Sequence, residues 1–417
     1  MAEESNLMFF EVLSLPGVDS LARLDVLYKL DESFFIPSRS FDSIASDKFK
    51  LRGEVLIEIA DHDDISRARE IHRIEMETLP PKRNQVHARW YERIATFSVA
   101  PGVYSVSVEV SDLESNRRVR QRSRPIHAGH FAGDKTVASS LLFVTHTSSD
   151  TLNPANFGGN VLISATGGMF VQFHLPGTLE NDHISVRYSL REASKDRDSG
   201  IPVADSTVSV SLLNKNLLTV LEGGRYSLSK KEDLPVYSLF VPLPLEQLRL
   251  RHFDLNAVIL AGNDSIPLQK KFQTVWPGMP RSLRDVEMAI EALRFITRKE
   301  ELDSLKSGSH ETRIRNLEGF WQAKDRAPET AINETMVEYY RRVDHAMVTF
   351  GTLRAPDGTR NDRGRIYILH GPPTEIERSL DTEGAREIWT YQHMRKRFIF
   401  ADKTRTGLYE LVSTQTL

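Results

Sequence analysis

The sequence predicts a multidomain, mainly β chain: two β-sandwich domains of the immunoglobulin or fibronectin type III kind, followed by an α+β domain. In that last domain helices precede a small antiparallel meander. Three observations carry this prediction. Short runs of alternating apolar and polar residues recur through the first two thirds of the chain. The texture breaks at Pro277-Gly278-Met279-Pro280. Beyond the break apolar residues first fall at helical spacing and then return to alternation. The expected domains are 1–130, 131–278 and 279–417, in keeping with the usual length of a domain for a chain of 417 residues.

In the first domain the clearest strand is "VYSVSVEVSD", where Tyr104, Val106, Val108 and Val110 alternate with Ser105, Ser107 and Glu109. The segment "EVLIEIADHDDISRAREIHRIEME" reads as two strands around an acidic turn, with Val55, Ile57, Ile59, Ile74 and Met76 facing inward. In the second domain "HISVRYSL" sets Ile184, Val186, Tyr188 and Leu190 on one face, and "STVSVSLL" does the same with Val208, Val210 and Leu212. A closing hairpin ends near Trp276.

Past the break, Ser282 and Asp285 have the spacing of a capping box ahead of Leu283, Val286, Ala289, Ile290 and Leu293. Helices are expected over about 310–323, with Ile314, Leu317 and Trp321 on one stripe, and over about 332–350, stopping at Gly351. In "NDRGRIYILHGPPTEIE" the alternation of Ile366 and Ile368 with Arg365, Tyr367 and Leu369 predicts a strand. Gly371-Pro372-Pro373 then forms a rigid strand-to-helix corner; its prolines remove the free N–H groups that a phosphate cradle needs. "EIWTYQ", "RFIFAD" and "LYELVS" supply three closing strands.

Composition narrows the function classes. The chain has no cysteine, which excludes disulfides, thiolate metal sites and cysteine nucleophiles. A net charge of -3 gives no global field for nucleic acid, so none is expected as a partner. No stretch reaches the roughly 20 apolar residues of a spanning helix. The acidic start "MAEESNLMFF" is not a signal peptide, yet avoidance of thiols suits export, and the expected location is extracytoplasmic with a leader trimmed.

Candidate chemistry is sparse. His370 could act as a general base oriented by Asp362 or Glu375, the core of an alternative reading as a hydrolase of glycan or peptide. "DHDD" at 61–64 and "HAGH" at 127–130 suggest metal but lack the ligand count of calcium or zinc sites, so neither metal nor cofactor is expected. Arg118, Arg120, Arg122 and Arg124 would form a ridge that either meets an acidic partner or guards a sheet edge. Exposed Trp90, Tyr91 or Tyr104 would favour a carbohydrate-binding module.

In order, "FWQAKDRAPET", "EYYRRVDHAMVTF", "DRGRIYILHGPPTEIE", "EIWTYQ" and "RFIFAD" resemble the bacterial GWxTD domain, a family of exported proteins with no established reaction. The likeness covers about residues 280–417. The name-giving motif is degenerate, reading Gly358-Thr359-Arg360-Asn361-Asp362, while Gly358, Asp362, Gly364, Gly371 and Pro372 match. The order of helices and meander, with a Trp389-to-Tyr391 strand, is also similar to the small lipoprotein subunit of the outer-membrane β-barrel assembly machinery, a likeness of fold alone. Together these resemblances point to a non-enzymatic structural or interaction protein of the cell envelope, peripherally associated or secreted, whose sandwiches and C-terminal domain dock protein partners. The contact residues would be Trp321, Asp325, Asp362, Arg363, Arg365, Gly371, Pro372 and Trp389.

Overall fold

The computed structural model describes residues 8–18, 21–39, 49–78, 90–115, 117–148, 150–162, 167–177, 179, 183–193, 202–245, 248, 252–262, 264–275, 279–326, 333–352, 357–381 and 384–417. The chain divides into two compact units, the first reaching Pro277 and the second beginning at Gly278. The mainly β class holds, with the α-helices among the described residues confined to the second unit and the first unit carrying short 3-10 turns such as Glu32–Phe34.

In the first unit, a three-stranded sheet of Met8–Pro16, Ala22–Asp31 and Trp90–Val99 shares a core with a six-stranded sheet built on Phe49–Ala60 and Gly102–Asp112. Val26 and Tyr28 meet Val55, Ile57, Val106 and Val108 there, all of them fully buried, so the period-2 faces read from the sequence are the real ones. A second sandwich packs Phe143, Val171, Val186, Leu190, Leu239 and Ile259. Its strand Pro202–Leu213 pairs with His183–Glu192 over most of its length and with Tyr237–Leu243 at its end, which links the two layers into one 13-stranded sheet among the described residues. The hairpin of His252–Ala261 and Asp264–Val275 closes it, while Trp276 lies outside the described residues.

A further apolar cluster joins the sandwiches inside this unit: Leu13, Leu15, Leu27 and Ile94 from the first meet Leu142, Phe170, Leu218 and Tyr226 from the second. At its centre sits Asp25, fully buried. Arg23 donates to it through Nε at 2.7 Å and Nη2 at 2.6 Å, and the Tyr226 hydroxyl donates at 2.8 Å. Arg23 also donates to the Leu218 carbonyl. A carboxylate removed from water survives only when its lone pairs are met in this way.

Among the described residues the second unit has five α-helices: α1 (Val286–Ala292), α2 (Lys299–Lys306), α3 (His310–Gln322), α4 (Glu334–Thr349) and α5 (Asp362–His370). They precede a four-stranded meander of Glu375–Asp381, Gly384–Tyr391, Lys396–Asp402 and Glu410–Thr416 in sequential order. Its core is strongly aromatic, with Trp321, Tyr340, Phe350, Tyr367, Trp389, Tyr391 and Phe400 in one cluster.

Three local expectations are corrected here, and one helix not read from the sequence is added. Residues 362–370 form α5 rather than a strand. Asn361 accepts from the Gly364 N–H at 2.8 Å as N-cap, and Ile366, Tyr367 and Ile368 are all buried. A short helix buried on several sides mimics alternation. Gly371-Pro372-Pro373 is therefore a helix-to-strand corner, with Gly371 ending α5 at φ 75°. The cap of α1 is Asp285, not Ser282. The charged run of α2, "KEELDSLK", carries too few apolar residues to announce a helix.

Replacing Asp25 by Ala strands the Arg23 guanidinium and the Tyr226 hydroxyl in an apolar seam. The first unit is expected to lose about 3–5 kcal/mol, read from equilibrium urea unfolding of the whole chain.

Candidate functional site

The segment that carries the degenerate motif enters α5 through two glycines in close approach. A Cβ on Gly364 would stand 1.9 Å from the Gly358 carbonyl oxygen, and one on Gly358 would stand 2.2 Å from the Ala346 oxygen of α4. Neither position admits a side chain. Between them Thr359 is buried, bonding to Asp357 at 2.5 Å and accepting from Arg294 at 2.8 Å. Asn361, besides capping α5, donates to the Phe350 carbonyl at 2.5 Å and so ties α4 to α5.

The polar residues that follow face the meander. Asp362 accepts from the Leu411 N–H at 2.8 Å and from Arg365 at 3.2 Å. Arg363 reaches Glu387 at 3.3 Å and the Gly407 carbonyl at 3.0 Å, with its guanidinium 4.1 Å from the centre of the Tyr409 ring. Glu387, nearly buried, also accepts from Arg378 at 2.7 Å and from the Trp389 indole at 3.1 Å. Asp362, Arg363 and Trp389 are thus engaged in holding α5 to the sheet, while the exposed Arg365 pairs with Asp362 within α5 itself.

His370, Asp362 and Glu375 are not brought together. Asp362 opens α5 and His370 ends it, about 12 Å apart along a nine-residue helix. Glu375 is exposed at the start of its strand. The His370 ring stacks on Phe398 at 5.5 Å. Burial, reinforced by Lys396, His393 and Arg342, holds its pKa below the ordinary imidazole value. His345, stacked on Tyr367 at 4.3 Å, is depressed by burial alone.

The other expected places are occupied by structure. Asp61 organises its turn, accepting from Asp63 N–H at 2.9 Å, Ile65 N–H at 3.0 Å and Arg67 at 2.6 Å; Asp61, His62 and Asp63 could approach one ion. Arg118 and Arg120, on the edge strand Arg118–Arg122, pair with Glu109 at 3.2 Å and Glu58 at 3.4 Å, and Arg122 with Asp64. Arg124 is exposed just beyond that strand, and His127 and His130 lie on and after strand Ile126–Ala128. Tyr104 is buried and donates to the Ala100 carbonyl at 2.8 Å; Trp90 and Tyr91 are half-buried neighbours on one strand.

A groove of about 610 Å³ opens where α3 ends against α4 and α5. Its apolar lining comes from Ile296, Trp321, Tyr339, Ile368 and Leu369. Lys324, Arg326 and Arg342 supply cations, and Asp325, Glu334 and Glu338 anions. Arg342 holds Glu338 at 2.8 Å, one turn away on α4, while the Trp321 indole donates to the Tyr340 hydroxyl at 3.2 Å. Trp321 and Asp325 were expected from the sequence. Glu334, Glu338 and Arg342 were not, because charges four apart on a helix read as a solvated face. Gly371 and Pro372 sit just past α5, where a Cβ on Gly371 would lie 3.1 Å from the Arg342 guanidinium carbon.

Gly364→Ala is expected to cost about 2–3 kcal/mol in thermal or urea unfolding. Gly319→Ala, with open space around its Cβ position in α3, should be neutral or stabilising. His345 and His370 stay neutral in the fold at pH values where the unfolded chain binds protons. Stability contributed by them is complete above the ordinary value of about 6.5 and is lost as pH falls below it. The thermal midpoint should drop between about pH 7.5 and about pH 5.5, and His345→Gln should reduce that drop.

No curated protein matches the chain. Among solved structures, the C-terminal domain of the AgI/II polypeptide BspA of Streptococcus agalactiae aligns at 10% identity, over 64% of this chain and 100% of its own, with a TM-score of 0.16. A structure labelled "BspA_C_mut" aligns at 8% identity, over 63% and 98%, with a TM-score of 0.14. Scores this low support no argument about this chain. Residues 264–416, from the last strand of the first unit to the end of the meander, match the GWxTD domain family; that segment of the chain is a GWxTD domain.

Proposed function

We propose that this chain is a non-enzymatic, extracytoplasmic interaction protein whose C-terminal unit docks a partner polypeptide in the groove between α3, α4 and α5. The single observation behind this reading is the character of the groove: an apolar floor with cations and anions interleaved around it. That combination suits an extended peptide that buries one apolar side chain and sets charges of both signs on the rim. No helix among the described residues is long and apolar enough to cross a membrane, and the proposed association with the envelope is peripheral. The cysteine-free composition fits an oxidising compartment.

Supporting this reading, the ionisable groups nearest to the matched motif are committed to structure. Asp362 and Arg363 hold strands, and His370 faces cations and rings rather than a carboxylate. General acid-base chemistry needs such partners within hydrogen-bond reach of each other.

The test is affinity capture from the native envelope with the whole chain and with Thr335→Trp, which fills the groove from α4 without replacing a residue of the aromatic core. A partner should lose affinity at least about tenfold, equivalent to about 1.4 kcal/mol. Deletion of residues 280–417 should abolish its capture. Partners retained at full strength by both forms would overturn the docking role.

A further inference from the structure

The two edges of the C-terminal meander are guarded differently. One edge strand, Glu375–Asp381, carries Glu375, Glu377, Arg378 and Asp381, charges that discourage pairing with another chain. The opposite edge strand, Glu410–Thr416, has no charge or proline after Glu410, and the uncharged run Leu411–Leu417 is largely exposed, with Val412 at 50% and Leu417 at 52%. The Leu417 N–H bonds inward to the Arg395 carbonyl at 2.8 Å, in register with the pairs Lys396–Thr416 and Phe398–Thr414. Antiparallel pairing alternates, so the backbone N–H and C=O of Thr414 and Thr416 face the open side. Nearer the start of the strand that side is closed, because the Leu411 N–H is taken by Asp362.

We propose that the occupant of this edge is a second copy of the same chain, paired antiparallel through Ser413–Thr416 about a two-fold axis, so that two meanders join into one continuous sheet. The argument is complementarity. In any antiparallel register within this run no like-charged side chains meet, and Thr, Ser and Gln stand opposite one another, pairs that favour adjacent strands. The same arrangement carries Glu410 of one copy toward the far end of the other, where Arg395, Lys396 and Arg397 flank residues 415–417 on the neighbouring strand. A self-complementary patch of this kind is what a two-fold dimer requires. One strand pair buries less than the roughly 1,600 Å² of a standard interface, so the dimer is concentration-dependent.

Sedimentation equilibrium on the full chain tests this. The native chain should pass from monomer to dimer with rising concentration. Thr414→Pro, which removes an outward N–H but no inward one, and Thr414→Lys, an exposed edge charge, should each weaken the dimer at least about tenfold. Both should leave the far-UV circular dichroism unchanged, and Glu410→Arg should weaken the dimer by setting like charges together. A native chain monomeric at every concentration, or a dimer undiminished in folded Thr414→Lys and Glu410→Arg, would overturn the proposal. The readout is independent of Thr335→Trp, so failure here and failure of the docking groove are separable.

Discussion

The carbonyl of Gly358 comes so close to Gly364 that only a hydrogen fits between them, and the C-terminal unit is organised around that contact. It sets the angle at which the chain enters α5. That angle places Asn361 to cap the helix and reach α4, Asp362 to hold the last strand, and Arg363 to bridge Glu387 and Gly407. A single steric minimum thus positions three side chains that each join a different element. The aromatic core fills the space so defined, with Tyr367 of α5 against Phe350 and Trp389.

The missing Trp of the family motif is instructive in this light. Thr359 occupies its place, buried and doubly hydrogen-bonded to Asp357 and Arg294. A buried hydroxyl is tolerated because its partners are present, so a polar clasp stands where the family motif has an indole. Asn361 replaces the Thr of the motif, and both residue types cap helices by the same acceptor geometry. The motif persists as capping and close packing even where its letters change.

In the first unit the equivalent restraint is electrostatic. Asp25 lies under two sheets and satisfies its oxygens with a guanidinium and a phenol drawn from both sandwiches. Such a pair contributes modestly to net stability but penalises any arrangement that leaves it half-made. The apolar seam around it supplies area, and the buried carboxylate fixes how the sandwiches meet.

The strands were legible because their alternation reports local geometry: each second residue of Val55–Ile59 or Tyr104–Val110 must face one side. Gly358, Asp362 and Gly364 were legible as matched positions, and Trp321 and Asp325 as neighbours of a matched block. The helix α5 was not, since three adjacent apolar residues are buried only because the sheet and α4 enclose them. The groove was not either, because Glu334, Glu338 and Arg342 acquire meaning from α3 and α5 lying beside them. The sequence by itself determined the strand periodicity and the change of texture near Pro277, both properties of a few consecutive residues. The tertiary structure alone decided which charges are consumed in the core and which edge of the meander stays open, since both depend on partners far away along the chain.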